Sequence, residues 1–145
     1  MYKKITIVLT LLFTAALVFL AYKYYQAQDY KLIANEKINY LNQAADNFYT
    51  YGLIICIASW LWVNIAAFKT KQLFWLWIPF LFVCFVAYKM SYHAEDIFIF
   101  NKQNGMWKGG FSISYLVSIV LVLISIVVLC INFFILKNVT KKMPH

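Results

Sequence analysis

Four stretches of this sequence are apolar and uncharged over lengths close to the thickness of a lipid bilayer, and this feature limits the possible folds most strongly. They are residues 5–22, 51–68, 73–88 and 111–136. A spanning helix needs about 20 predominantly apolar residues, so the third stretch is short and the fourth is long enough to tilt. Continuous apolar character favours helices, because the strands of a barrel would alternate. The pattern predicts an all-α membrane protein, a four-transmembrane-helix bundle.

Composition supports the membrane assignment. Of the 145 residues, 64% are hydrophobic and 12% are charged, whereas a typical soluble domain has about 25% charged residues. A soluble domain of this size could not bury so much apolar surface. In lipid, apolar side chains can face outward.

The lysines predict the orientation. Seven of them, with no acidic residue nearby, lie at the N-terminus, in the loop 69–72 and after residue 136, whereas all five acids lie in segments 23–50 and 89–110. Lysines in short loops are retained in the cytoplasm. We therefore expect both termini in the cytoplasm and segments 23–50 and 89–110 outside, in a plasma (bacterial inner) membrane. A cleaved signal peptide is an alternative for residues 5–22, but bulky residues 22–25 favour a retained anchor.

The two outer segments differ in pattern. Segment 23–50 has no glycine or proline, and apolar residues such as Leu41 and Phe48 recur at helical spacing, which predicts an amphipathic outer helix. Segment 89–110 has apolar residues on both sides of Asn104-Gly105, which predicts a short hairpin-like loop. The amphipathic face could contact the membrane, the other outer segment or another protein. The candidate partner-binding residues are Leu41, Phe48, Phe98, Phe100 and Trp107.

Polar and small residues inside the spans predict how the helices pack. Ser114, Ser118 and Ser125 share one face of the fourth span with Asn132, and Gly52, Cys56, Ser59 and Ala66 form a stripe on the second. Small and hydroxyl residues allow close helix contact in lipid, so packing is favoured over a substrate path. Counting from the ends of the spans places Thr10, Asn64, Asn132 and Pro79 at a similar depth. We predict a polar layer there, in which Asn64 and Asn132 hydrogen-bond to each other, to Thr10 or to the carbonyl that Pro79 leaves free.

Several kinds of chemistry lack the residues they need. The three cysteines lie inside spans, which favours packing over disulfide chemistry, and the spans contain no histidine for haem and no charged residue for coupled transport. His93, Glu95 and Asp96 form one titratable cluster, but no second histidine or cysteine lies in an outer segment to complete a metal site. A net charge of +8 suggests nucleic acid, but the lysines flank the spans and arginine is absent.

These patterns predict a non-enzymatic membrane protein without cofactors. Its expected partners are membrane lipids and another membrane or extracytoplasmic protein, not nucleic acid. The leading hypothesis is an accessory or assembly subunit of a larger membrane complex. Two alternatives stay open. One is an immunity protein against a pore-forming toxin, because this chain resembles, in architecture alone, those immunity proteins that are small, basic and four-spanning with both ends inside. The other is a small oligomeric channel or pore-forming effector.

Overall fold

The protein is helical throughout most of its length. The computed structural model describes residues 1–28, 34–106, 109 and 113–142. These residues form four α-helices: α1 (Tyr2–Gln28), α2 (Ala34–Thr70), α3 (Trp77–Gln103) and α4 (Ile113–Lys142), with a short 3₁₀ turn, Leu73–Leu76, before α3. Four helices are long and apolar enough to cross a membrane, which confirms the predicted all-helical membrane class.

The helices form an open bundle in chain order. α2 and α3 pack together in the centre, α1 packs mainly on α2, and α4 packs mainly on α3. Within the described residues α1 and α4 do not touch, so the bundle is not closed on that side. Neighbouring helices run antiparallel, which defines two ends. The lysine end holds the beginning of α1, the turn between α2 and α3, and the end of α4; the opposite end is called the distal end.

Three of the helices extend past the predicted spans at the distal end. α2 has 37 residues, which corresponds to about 55 Å, compared with about 30 Å of hydrocarbon. α1 and α3, with 27 residues each, are about 40 Å long. The chain continues as helix here because residues 23–28, 34–50 and 89–103 contain no glycine or proline.

The predicted hairpin-like loop at 89–110 is wrong over residues 89–103, which belong to α3. Met90, His93 and Ala94 are buried at helical spacing, and this packing stabilises a helix where short apolar runs suggested strands. Asn104 and Gly105 do form a turn, which ends α3. The backbone and side-chain N–H groups of Asn104 both donate to the carbonyl of Phe100, and Gly105 has a φ of +67°.

A tight turn joins α2 to α3 at the lysine end. α2 ends at Thr70, and Lys71 then adopts a left-handed conformation with φ +57°. The 3₁₀ turn follows, and Pro79 lies in the first turn of α3. The first amide hydrogens of a helix have no partner within the helix, so proline is tolerated there.

Two apolar clusters hold the bundle together. One cluster lies in the centre and towards the distal end, and α1, α2 and α3 all contribute to it. Its buried residues are Leu17 of α1, Phe48 and Cys56 of α2, and Phe82, Val86 and Met90 of α3. The cluster at the lysine end contains Val63, Ala67, Trp75, Leu76 and Leu136. Many of the remaining apolar side chains, especially on α1 and α4, are exposed on the outside, as expected for helices surrounded by lipid.

Candidate functional site

The distal half of α3 has two contrasting faces. Met90, His93 and Ala94 are buried against the bundle, whereas Tyr92 is 41% exposed and Ile99 is 44% exposed on the opposite side. Positions 88, 92, 95 and 99 follow a spacing of three or four residues, which places them along one line of the helix surface. We call Tyr88, Tyr92, Glu95, Phe98 and Ile99 the α3 stripe.

Aromatic rings and a lysine define the part of the α3 stripe nearest the middle of α3. The ring centroids of Tyr88 and Tyr92 are 6.4 Å apart. The ammonium group of Lys89 lies 5.8 Å from the centroid of Tyr88 and 5.4 Å from that of Tyr92, a distance at which a cation is attracted to a ring face. The stripe therefore combines exposed apolar area with the carboxylate of Glu95, and the positive charge of Lys89 lies beside it.

The structure separates the five candidate partner-binding residues. Phe98 is 41% exposed on the α3 stripe, and Phe100 is half-buried. Leu41 and Phe48 are only 4% and 2% exposed, so their assignment to a partner-binding surface is wrong. They face the bundle because α2 is one continuous helix from Ala34 to Thr70 and packs on its neighbours. Trp107 lies outside the described residues.

A polar cluster joins α1 to α3 near the distal end. The hydroxyl of Tyr24 lies 2.7 Å from Nδ1 of His93 and donates to Oδ2 of Asp96 at 3.0 Å. A hydroxyl has one hydrogen to donate. When that hydrogen bonds Asp96, the hydroxyl oxygen can accept the N–H of His93.

The same cluster extends to α2 and to the end of α1. Nε2 of His93 lies 3.2 Å from Oδ1 of Asn42, and the amide of Gln28 donates to Asp96. The ring of Tyr49 contacts the ring of His93 edge-on, and the Tyr49 hydroxyl is buried with no hydrogen-bond partner among the described residues. Because Tyr24 and His93 are buried, these bonds fix the relative positions of three helices.

The predicted cluster of His93, Glu95 and Asp96 is divided between two surfaces. His93 and Asp96 lie in the polar cluster, whereas Glu95 is exposed on the α3 stripe. No group of three or more histidine, cysteine, aspartate or glutamate side chains within the described ranges could hold a metal ion. The geometry favours a structural role for His93 and Asp96.

The small residues of α2 lie at helix contacts. Gly52 is close to α3, since a Cβ added there would be 3.1 Å from Cγ2 of Val86 and 3.7 Å from Cδ2 of Leu17. Cys56, Ser59 and Ala66 are all buried. These residues let the backbone of α2 approach its neighbours closely.

The serines of α4 have different surroundings. Ser118 is buried, and its hydroxyl lies 2.7 Å from that of Ser91, which links α4 to α3. Ser125 donates to the carbonyl of Val122 in its own helix. Ser114 is half-buried near the start of α4.

The polar layer predicted at the lysine end is not formed as expected. Asn64 donates to the carbonyl of Trp60, and Thr10 donates to that of Thr6, so both bond within their own helices. Pro79 frees no carbonyl in a helix interior, because α3 begins only two residues earlier. A bond that does join helices there runs from the indole of Trp62 to the hydroxyl of Thr6 at 3.1 Å.

Asn132 instead faces a groove between α2, α3 and α4. We call it the α4 groove, and its volume is about 490 Å³. Its lining is almost entirely apolar. It consists of Leu53, Cys56, Ile57, Trp60, Leu76, Pro79, Phe80, Val83, Leu121, Ile124, Ser125, Val128, Leu129 and Asn132.

Comparison of the chain with protein-family models, with curated proteins and with solved structures finds no match. The functional interpretation therefore depends on the residues and their arrangement.

Sequence analysis did not identify most members of the polar cluster. Tyr24 and Gln28 are four residues apart, and His93 and Asp96 are three apart, so each pair shares a helix face. That spacing could have indicated a polar contact between helices, because polar pairs just beyond an apolar span can meet at the end of a bundle. Nothing in the spacing indicated that α1 and α3 would turn these faces towards each other.

Proposed function

We propose that this chain is a non-enzymatic integral membrane protein that acts by binding another protein, as an accessory or assembly subunit of a larger membrane complex. The lysine end lies in the cytoplasm and the distal end lies outside. The observation that carries the proposal is the α3 stripe, a line of exposed and mostly apolar side chains on a helix that extends past the bilayer.

The charged residues around the stripe indicate that lipid does not cover it. Lys89, Glu95, Asp96 and Lys102 all lie on the distal half of α3. Charged side chains are costly within hydrocarbon, so this half of the helix is placed beyond it. Exposed apolar patches in water usually mark a protein interface, and aromatic residues are enriched in such interfaces.

The neighbouring surfaces leave the stripe available for a partner. The opposite face of α3 is occupied by the bundle, through Met90, His93 and Ala94. The polar cluster holds this half of α3 against α1 and α2, so Tyr92 and Ile99 are presented on a supported helix. The partner that fits is an outer segment of a membrane protein with an apolar contact surface. Lys89 adds a positive charge that complements an acidic residue beside it.

Co-purification from native membranes tests the proposal. Ile99→Asp places a carboxylate in the stripe, and we expect it to abolish stoichiometric recovery of the complex without affecting insertion. Tyr25→Asp is the matched control, because Tyr25 is 60% exposed on α1 near the same end but lies outside the stripe. Unchanged recovery of the complex with Ile99→Asp would overturn the assignment of the stripe.

The same preparation separates the two alternatives. Recovery with a pore-forming toxin alone would support an immunity protein. Ion conductance from purified protein in vesicles, without any partner, would support a channel. Neither outcome is expected from an accessory subunit.

A further inference from the structure

The α4 groove has the length of one lipid chain. Along α4 it extends from Leu121 to Asn132, which corresponds to about 16 Å of helix. One leaflet contributes about 15 Å of hydrocarbon, half of the total core. The groove therefore matches the depth of a single leaflet.

The groove has one amide side chain, that of Asn132, and it lies at the lysine end. In its middle, Ser125 donates to the carbonyl of Val122, which leaves an apolar wall there. Asn132 lies at the lysine end, and its side chain has no hydrogen bond among those of the described residues. A lipid acyl chain has the same arrangement, because it is apolar along its length and joins a polar ester group at one end.

The charges at this end complement an anionic headgroup. Lys69, Lys71 and Lys137 are exposed there, and residues 51–88 and 111–145 contain no aspartate or glutamate. Lysine stems lie along apolar surface while the ammonium groups reach the headgroup layer. Positive charge beside a membrane attracts anionic lipid.

We propose that the α4 groove binds one acyl chain of an anionic glycerophospholipid from the leaflet at the lysine end. The acyl chain lies between α2, α3 and α4. The amide of Asn132 donates to an ester carbonyl of the lipid, and Lys69, Lys71 and Lys137 bind its phosphate. This site is separate from the α3 stripe, so either can fail without the other.

Photolabelling of the purified full-length protein tests the site. The protein is reconstituted in phosphatidylcholine vesicles with a trace of phosphatidylglycerol that carries a diazirine on one acyl chain, and the adducts are mapped by mass spectrometry. We expect adducts concentrated on Ile124 and Val128 rather than on Leu11 and Leu12, which are at least as exposed. Unlabelled phosphatidylglycerol should compete more strongly than phosphatidylcholine.

Three variants distinguish a specific lipid-binding site from non-specific contact with bilayer lipid. Ser125→Phe fills the groove and should remove most of the groove labelling. Val127→Phe adds the same ring on a position that is 57% exposed outside the groove, and should leave labelling unchanged. Asn132→Leu keeps the groove open and should lower its labelling about threefold, the loss expected for one hydrogen bond in lipid.

Several outcomes would overturn the proposal. Equal labelling density on α1 and in the groove would mean that the groove contacts only the surrounding bilayer lipid. Equal effects of Ser125→Phe and Val127→Phe on the labelling would lead to the same conclusion. Equal competition by unlabelled phosphatidylglycerol and phosphatidylcholine would overturn the proposed preference for an anionic headgroup. Cross-linking of the groove to a second copy of the chain would show that a helix, not a lipid, occupies it.

Discussion

The hydroxyl of Tyr24 lies 2.7 Å from Nδ1 of His93, although the two residues are 69 positions apart in the chain. This contact, with the bond from Tyr24 to Asp96, joins the distal ends of α1 and α3. It supports the half of α3 that carries the exposed stripe on its other face. The polar cluster and the α3 stripe are thus two sides of one helix segment.

Loss of the Tyr24 hydroxyl should destabilise the protein. Tyr24→Phe leaves the buried His93 nitrogen without its partner, which should cost about 1 to 3 kcal/mol, whereas the Asp96 oxygen keeps its hydrogen bond from Gln28. Denaturant unfolding in detergent micelles measures the change. Tyr25→Phe, on the exposed side of α1, should have little effect. Equal stability of the two variants would show that the cluster does not stabilise the distal end.

Gly52 should tolerate only a small increase in size. The Cβ of Gly52→Ala would be 3.1 Å from Cγ2 of Val86, so a slight shift of one side chain accommodates it. Gly52→Leu should separate α2 from α3 and cost about 1 to 3 kcal/mol by overpacking. Val86→Ala makes room, so the cost of Gly52→Leu should be smaller in the double variant, as a double-mutant cycle in micelles would measure. Additive effects would mean that the two residues are not in contact.

Cysteine accessibility should report the orientation. The lysine distribution predicts that Asn104→Cys reacts with a membrane-impermeant maleimide added to intact cells, and that Lys71→Cys reacts only after permeabilisation. The unsubstituted protein is the control, because its cysteines lie within the helices. Labelling of Lys71→Cys in intact cells, with protection of Asn104→Cys, would reverse the proposed orientation.

The sequence predicted the helices better than their contacts. Uncharged runs identify the apolar parts of α1 to α4, and the absence of glycine and proline from residues 23–28, 34–50 and 89–103 agrees with their helical extensions, because bilayer thickness and helix propensity act locally. The periodic face with Leu41 and Phe48 was visible too, but periodicity alone does not say what covers a face. The structure shows that the bundle itself covers it, since α2 continues as one helix through this segment and buries both residues.

Contacts between distant residues depend on how each helix is rotated. Asn64 and Asn132 lie at comparable depth, yet Asn64 bonds within its own helix and Asn132 faces the α4 groove. Depth can be counted from a sequence, whereas rotation is set by packing at places such as Gly52 and Val86. For the same reason the pairing of Tyr24 with His93 could not be predicted.

Site-specific photocross-linking tests the partner surface most directly. A photoreactive phenylalanine analogue replaces Tyr92 in the α3 stripe, or Tyr25 on α1 as the control, and the cells are irradiated with the protein in its native membrane. The account predicts one discrete protein adduct from position 92, its loss when Ile99→Asp is added, and no such adduct from position 25. Lipid adducts alone from position 92, or the same protein adducts from both positions, would contradict it.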